Sequence, residues 1–210
     1  MKYRTKHHKK GLIFTLIIAA FLVLSFGAVP MTRAASAAEK KAHKILEKKR
    51  KKLIKNHMDT TCTYFDINGD GVKELLTECY PGEGGSSRSY GIYQVKKGKI
   101  KCILSTLDYG VSRMSFYKKT KSLITYQAGH GGESYSYYKL KKGKYKMIAW
   151  KGRQAIAGGN LENGPWSYQA DSKEVSKATF NKKIKGMKRG KARTTKTEKW
   201  TYYNNPDYKW

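Results

Sequence analysis

The chain has 210 residues, with 44 Lys plus Arg against 15 Asp plus Glu and a formal net charge of +29. Hydrophobic residues at 39% and aromatics at 12% are enough for one ordinary core, which argues against a wholly disordered chain despite the charge. The length allows one domain of moderate size or two very small ones, and the 16 tyrosines suit strands with one wet face better than long buried helices.

The first ten residues carry Lys2, Arg4, Lys6, Lys9 and Lys10 and no acid. An apolar run from Leu12 to Val29 follows, then Ala35-Ser36-Ala37. Charged start, apolar middle and A-x-A end form a secretory signal peptide over residues 1–37, cut between Ala37 and Ala38. The alternative is an uncleaved N-terminal membrane anchor, since the run approaches the length of a spanning helix. The Lys-rich start and the length look like a Gram-positive signal. Removal of residues 1–37 leaves 38 basic against 15 acidic residues, a net charge of +23 on 173 residues.

Residues 38–58 contain no Gly or Pro and read as a helix with nine Lys/Arg and only Glu39 and Glu47 as acids. Its apolar stripe is narrow: Ala42, Ile45, Leu46 and Leu53. Such a helix either lies on an anionic surface or leans on the main domain. From Thr60 onward the pattern changes to short strand-like runs separated by Gly, Asn and Lys-Gly turns, which are hairpin signals in series.

An internal repeat organises residues 59–175. The run Leu75-Leu76-Thr77, Gly82 to Gly85, Tyr93, Lys96-Lys97-Gly98-Lys99 and Ile103 recurs as Leu123-Ile124-Thr125, Gly129 to Gly132, Tyr138, Lys141-Lys142-Gly143-Lys144 and Ile148. The offset is 48 residues at the front and 45 at the back. Each copy reads as a four-stranded antiparallel meander, and two copies are too few for a closed propeller. The fold expected is therefore mainly β with flanking helices (α+β). Two tandem meanders would form a curved or two-layer sheet, between the N-terminal basic helix and a short C-terminal helix. Trp166 to Ala170 is expected as a closing strand. In the last part, 176–210, Ser176 is an N-cap, Val175 can staple onto Phe180, and Phe180, Ile184 and Met187 share a face. Nine Lys/Arg between Lys182 and Lys199 then lead into an aromatic end.

One motif carries chemistry. Asp66-x-Asn68-x-Asp70-Gly71-x-x-Glu74 sets oxygen side chains at loop positions 1, 3, 5 and 9, with the Val72 carbonyl at position 7. Hard oxygens at alternate positions of a tight loop are what Ca²⁺ takes. An EF-hand needs Glu at position 12, where this chain has Thr77, and the flanks read as strands. The loop instead resembles the calcium loops of the FG-GAP (integrin-propeller) type. That resemblance implies Asp66, Asn68, Asp70 and Glu74 as side-chain ligands of one structural Ca²⁺. The second copy has Lys118-Lys119-Thr120-Lys121 at the matching turn and cannot ligate a cation. The alternative is a hairpin turn that binds nothing. Residues 60–184 also resemble a group of uncharacterised exported Firmicutes proteins with a D-I-[DN]-G-D-G-x-x-E-L loop and K-x-G-K turns. The resemblance implies an extracellular β-rich fold and no activity, and this chain departs from the group in having no lipobox and in its basicity.

Cys62 and Cys79 are symmetric about Asp70-Gly71, which would put them opposite each other in a hairpin and in reach of a cross-strand disulfide. The alternative is two buried thiols, and Cys102 is left odd. His130, Glu133 and Asp108 lie in turns, but no spacing known for zinc, nucleophile-elbow or redox chemistry accompanies them. The function expected is a secreted, non-catalytic, calcium-stabilised β-domain protein, bound by its basic surface to an anionic cell-wall polymer or membrane surface. The alternatives are a module for an extracellular polyanion or nucleic acid, bound non-specifically, and a secreted enzyme.

Overall fold

The computed structural model describes residues 36–80, 88–108, 110–129, 131–155 and 164–208. The body of the expected leader, the Gly/Ser loop after Tyr80, and His130 lie outside the described residues.

Helix α1 spans Ala37–Asn56. Ser36 starts it with a capping box: its hydroxyl accepts the Glu39 amide at 3.2 Å, and the Glu39 carboxylate accepts the Ser36 amide. Two four-stranded antiparallel meanders follow, as the repeat predicts. The first is β1 (Asp59–Phe65), β2 (Glu74–Tyr80), β3 (Arg88–Lys96) and β4 (Lys99–Asp108). The second is β5 (Val111–Tyr117), β6 (Ser122–Gly129), β7 (Gly132–Lys141) and β8 (Lys144–Gln154). The copies match in detail. Each has a register shift between its third and fourth strands, at Ile92/Tyr93 and at Tyr137/Tyr138, where Ile103 and Ile148 are passed over in the pairing. Each closes its last hairpin through a Lys-Gly pair with both residues left-handed, Lys97-Gly98 (φ 52°, 72°) and Lys142-Gly143 (φ 49°, 76°). That is the primed turn whose twist suits a two-residue hairpin.

After β8 come β9 (Ser167–Ala170), β10 (Lys173–Glu174) and helix α2 (Lys177–Ile184), capped by the Ser176 hydroxyl at the Thr179 amide. Two short strands complete the chain: β11 (Arg193–Lys196) and β12 (Thr201–Asn204). The first sheet has the order β12-β1-β2-β3-β4, and the second β10-β9-β8-β7-β6-β5-β11. The C-terminal segment thus adds one strand to the first-strand edge of each meander. Between the two strands, Trp200 turns into the core and its indole N–H donates to Thr195 Oγ1 at 2.9 Å. Sequence alone gave no sign of β11 and β12, because Arg-Thr-Thr-Lys and Thr-Tyr-Tyr-Asn are almost wholly exposed edge strands with no apolar alternation.

Among the described residues the core has three clusters, which define four layers. The largest joins the inner faces of the sheets: Leu76, Tyr90 and Ile92 meet Met114, Phe116, Leu123 and Tyr138. The outer face of the first sheet is covered by α1, through Leu46 on Cys62 and Leu75. The outer face of the second is covered in part by α2 and the turn after it, through Phe180 and Met187 on Ile124, Tyr137 and Ile148. This layering explains why all but the last residue of β2 are buried: Leu75, Thr77 and Cys79 face α1, while Glu74, Leu76 and Glu78 face the second sheet. Glu78 is satisfied there by the Tyr90 hydroxyl (2.6 Å) and Arg88 (2.7 Å), and the Tyr90 oxygen accepts the Val111 amide (2.8 Å) where the second meander begins.

The apolar stripe of α1 is therefore engaged: Ala42, Leu46 and Leu53 are buried on the sheet, and the reading of this helix as one that lays an apolar face on a membrane does not hold. The cysteine pairing also needs correction. The observed register sets Cys62 opposite Thr77 and Thr60 opposite Cys79, two residues away from the arrangement expected. The 66–73 loop is centred between Gly69 and Asp70, one residue earlier than the Asp70-Gly71 midpoint, so the pairing slips by two while each side chain keeps its face. All three cysteines are free, with Cys62 and Cys79 buried and Cys102 half-buried. Burial pushes the Cys62 thiol up to about 11. Thiol titration of the native protein should find at most one reactive group, Cys102, and denaturation should release the other two.

Candidate metal loop and basic surface

The loop joining β1 to β2 is closed by its own side chains. Asp66 Oδ1 accepts the amides of Gly69 (2.6 Å) and Asp70 (3.3 Å), and its Oδ2 accepts that of Gly71 (3.1 Å). Asn68 Oδ1 takes the Asp70 amide at 2.8 Å, and Asp70 Oδ1 takes the Val72 amide at 2.8 Å. Glu74 reaches back from the first residue of β2: one carboxylate oxygen accepts the Ile67 amide (3.1 Å) and the other the Asn68 side-chain N–H (3.4 Å). Asp66, Asn68, Asp70 and Glu74 therefore belong to one constellation.

Two neighbours were not signalled by the sequence. Arg193, the first residue of β11, reaches across from the second sheet to Asp66 Oδ2 at 3.4 Å and donates to the Asp66 carbonyl. Glu39 of α1 stands so close that a Cβ on Gly71 would lie 2.9 Å from its carboxylate, and the φ of 92° at Gly71 is what calls for glycine there.

Glu74 is only 3% exposed. Its carboxyl is pushed up to about 7, first by burial and then by the nearby Asp70 and Asp66, against the opposing pull of the Ile67 amide. Burial against two further carboxylates is a strained place for a negative charge, and a cation would relieve it. The donor chemistry suits calcium. Carboxylate and amide oxygens on Asp70, Asn68 and Glu74 keep unused acceptor capacity, each ionised carboxylate having about four lone-pair sites. Among the described residues, however, no group of three or more His, Cys, Asp and Glu side chains is gathered as a metal centre.

The other candidates separate. Glu133 is held by Arg153 at 2.7 Å and accepts the Tyr126 hydroxyl at 3.2 Å, so it is part of an ion pair on the second sheet. Asp108 ends β4.

Positive charge surrounds the acidic loop. Phe65, Phe116 and Tyr145 form a row (ring centroids 5.9 and 6.5 Å apart) that brings the starts of the β1–β2 and β5–β6 connections and the β7–β8 turn to one end of the sandwich. That end carries the exposed Lys-Lys-Gly-Lys turns. On α1, the seven lysines exposed between Lys40 and Lys55 face outward with no exposed acid among them. Glu47 is turned inward, paired with Arg50 and accepting the Tyr64 hydroxyl at 2.7 Å, which holds its carboxyl down at about 2. No helix among the described residues is long and apolar enough to cross a membrane.

Comparison of the chain with protein-family models, with curated proteins and with solved structures finds no match.

Proposed function

We propose that the chain is an exported, non-catalytic β-sandwich, pinned at its 66–74 loop by Ca²⁺ and held on an anionic cell envelope by its lysine surface. The observation that carries this reading is the outer face of α1. Its apolar stripe is buried on the sheet, so the exposed charge it offers to a partner is all lysine. Such a surface attracts polyanions over a Debye length of about 8 Å at physiological ionic strength and releases them as salt rises. For calcium, the support is the oxygen-donor spacing of Asp66, Asn68 and Asp70, with buried Glu74 near enough to feel the charge of Asp70 and Asp66, and with Arg193 turned to Asp66.

Retention on isolated cell walls tests the envelope reading. Binding should fall steeply with added salt, and replacing Lys44, Lys48, Lys51 and Lys55 by Gln, which adds no like-charge pair with Glu47, should weaken it strongly with little change in melting temperature. Retention that ignores salt and these substitutions would sink the reading.

Export has its own test in the α1 cap. A cut after Ala37 removes Ser36, so Ser36→Ala should leave the melting temperature of the exported protein unchanged. In a chain that keeps its leader, the same change should cost about 1 kcal/mol.

A further inference from the structure

Helix α2 covers only part of the second sheet's outer face. Phe180 packs edge-on to Tyr137 (5.5 Å) and against Tyr168 (5.2 Å). Beyond it, among the described residues, the face carries a row of rings with no helix over it. Tyr126 on β6 and Tyr135 on β7 are directly opposed across the strands, with centroids 4.8 Å apart, and Trp166, just before β9, continues the row 6.3 Å from Tyr135. All three are half-buried. A cation lies over each ring: Arg113 over Tyr126 at 5.0 Å, Lys151 over Tyr135 at 4.7 Å and over Trp166 at 4.1 Å, and Arg153 over Trp166 at 4.9 Å. Glu133, bound to Arg153, leaves the row positive. Lys188 and Lys177 lie near enough that their charge, added to burial, lowers the Lys151 ammonium.

We infer that this half of the second sheet's outer face, built on Tyr126, Tyr135 and Trp166 with Arg113, Lys151 and Arg153 over their rings, binds single-stranded nucleic acid. The choice of partner follows from what must happen to the rings. Each ring face is occupied by a cation, so a ligand has to draw the cation off and fill the vacated face. A nucleotide does both within one repeat unit: its phosphate takes the Lys or Arg, and its base stacks on the ring. A polyol phosphate offers only the anion. A sugar ring offers no flat π surface to replace the cation, and duplex bases are already stacked on one another. The site goes beyond the envelope reading and uses none of the α1 lysines.

Fluorescence anisotropy of a labelled oligothymidylate with the full chain, against the matched duplex, inorganic polyphosphate of equal charge and polygalacturonate, tests the inference. The single strand should bind at least tenfold more tightly than the other three. Trp166→Ala should weaken it about tenfold, as loss of one stacked base does, and should leave the salt dependence unchanged because no charge is removed. Trp166→Phe, which keeps a ring, should restore most of the binding. Trp166 lies outside the three core clusters, and an unchanged melting temperature for Trp166→Ala would confirm that the fold is intact. Equal binding of all four polymers, indifferent to Trp166→Ala, would overturn the inference in favour of charge alone. A preference for polygalacturonate that depends on Trp166 would assign the face to an anionic glycan instead. Neither result touches the envelope reading, which stands or falls on the α1 lysines and cell-wall retention.

Discussion

Calcium at about 100-fold excess over its dissociation constant is expected to stabilise the protein by about 2.7 kcal/mol, as any ligand of the folded state alone would. For a domain of this size that is a rise in melting temperature of roughly 5–10 °C over the same protein in chelator. Asp70→Ala is the variant that isolates the effect. Asp66 caps three loop amides and pairs with Arg193, so its removal weakens the fold whether or not a metal binds. Asp70 is exposed and gives the metal-free loop one cap, on the Val72 amide. Its loss in chelator should cost about 1 kcal/mol or less, while the response to calcium should vanish. If calcium leaves the wild-type melting temperature where chelator put it, the loop is a turn closed by its own amides, and the calcium reading fails.

What the sequence showed of this fold was whatever repeats or alternates along the chain. The two meanders were legible because their turn chemistry recurs: Lys-Gly at 97–98 and 142–143 adopts the same left-handed pair, and the shared register shift falls five residues before each. Helix α1 was legible to within two residues, because 38–58 has no Gly or Pro and carries apolar residues at helical spacing. Its capping box, Ser36 with Glu39, was not read, since Ser36 falls in the expected leader. Nor was the helix's partner, since a narrow stripe of Ala42, Leu46 and Leu53 looks the same whether it meets lipid or a sheet. The calcium-type residues were visible in their spacing, but Arg193 and Glu39 arrive at the loop from opposite ends of the chain. The cysteine register failed on a smaller matter. The two cysteines are symmetric about Asp70-Gly71, whereas Asp66, by gathering three successive amides, sets the centre of the loop one residue earlier. The aromatic row on the second sheet was hidden for a related reason. The alternation Tyr135, Tyr137 is plain in the sequence, but the seating of Lys151 between Tyr135 and Trp166 exists only once β7, β8 and the segment before β9 are in register.

In chelator, stability is expected to fall as pH rises from about 4.5 to about 7, and Glu74 is the cause. The unfolded chain gives up this proton near the ordinary carboxyl value, whereas the folded protein keeps it until about 7, so across that window the folded state binds more protons and each step upward in pH favours unfolding. The shift sets an upper bound of about 3 kcal/mol on the loss by neutral pH, at 1.36 kcal/mol per unit. Glu74→Gln keeps the shape and the acceptor for the Ile67 amide but cannot ionise, so it should flatten this part of the profile and exceed the wild type in stability at about pH 8. Calcium should reverse the order, because the ionised carboxylate that is unfavourable alone becomes a ligand, and the wild type then gains where Glu74→Gln does not. Urea midpoints of both proteins at about pH 5 and about pH 8, with calcium and with chelator, read all four states. Parallel profiles for the two proteins in chelator would show that Glu74 ionises normally in the fold. A flattened Glu74→Gln profile with no calcium response in either protein would leave Glu74 a buried carboxylic acid that hydrogen-bonds the loop to β2, and would remove it from any metal site.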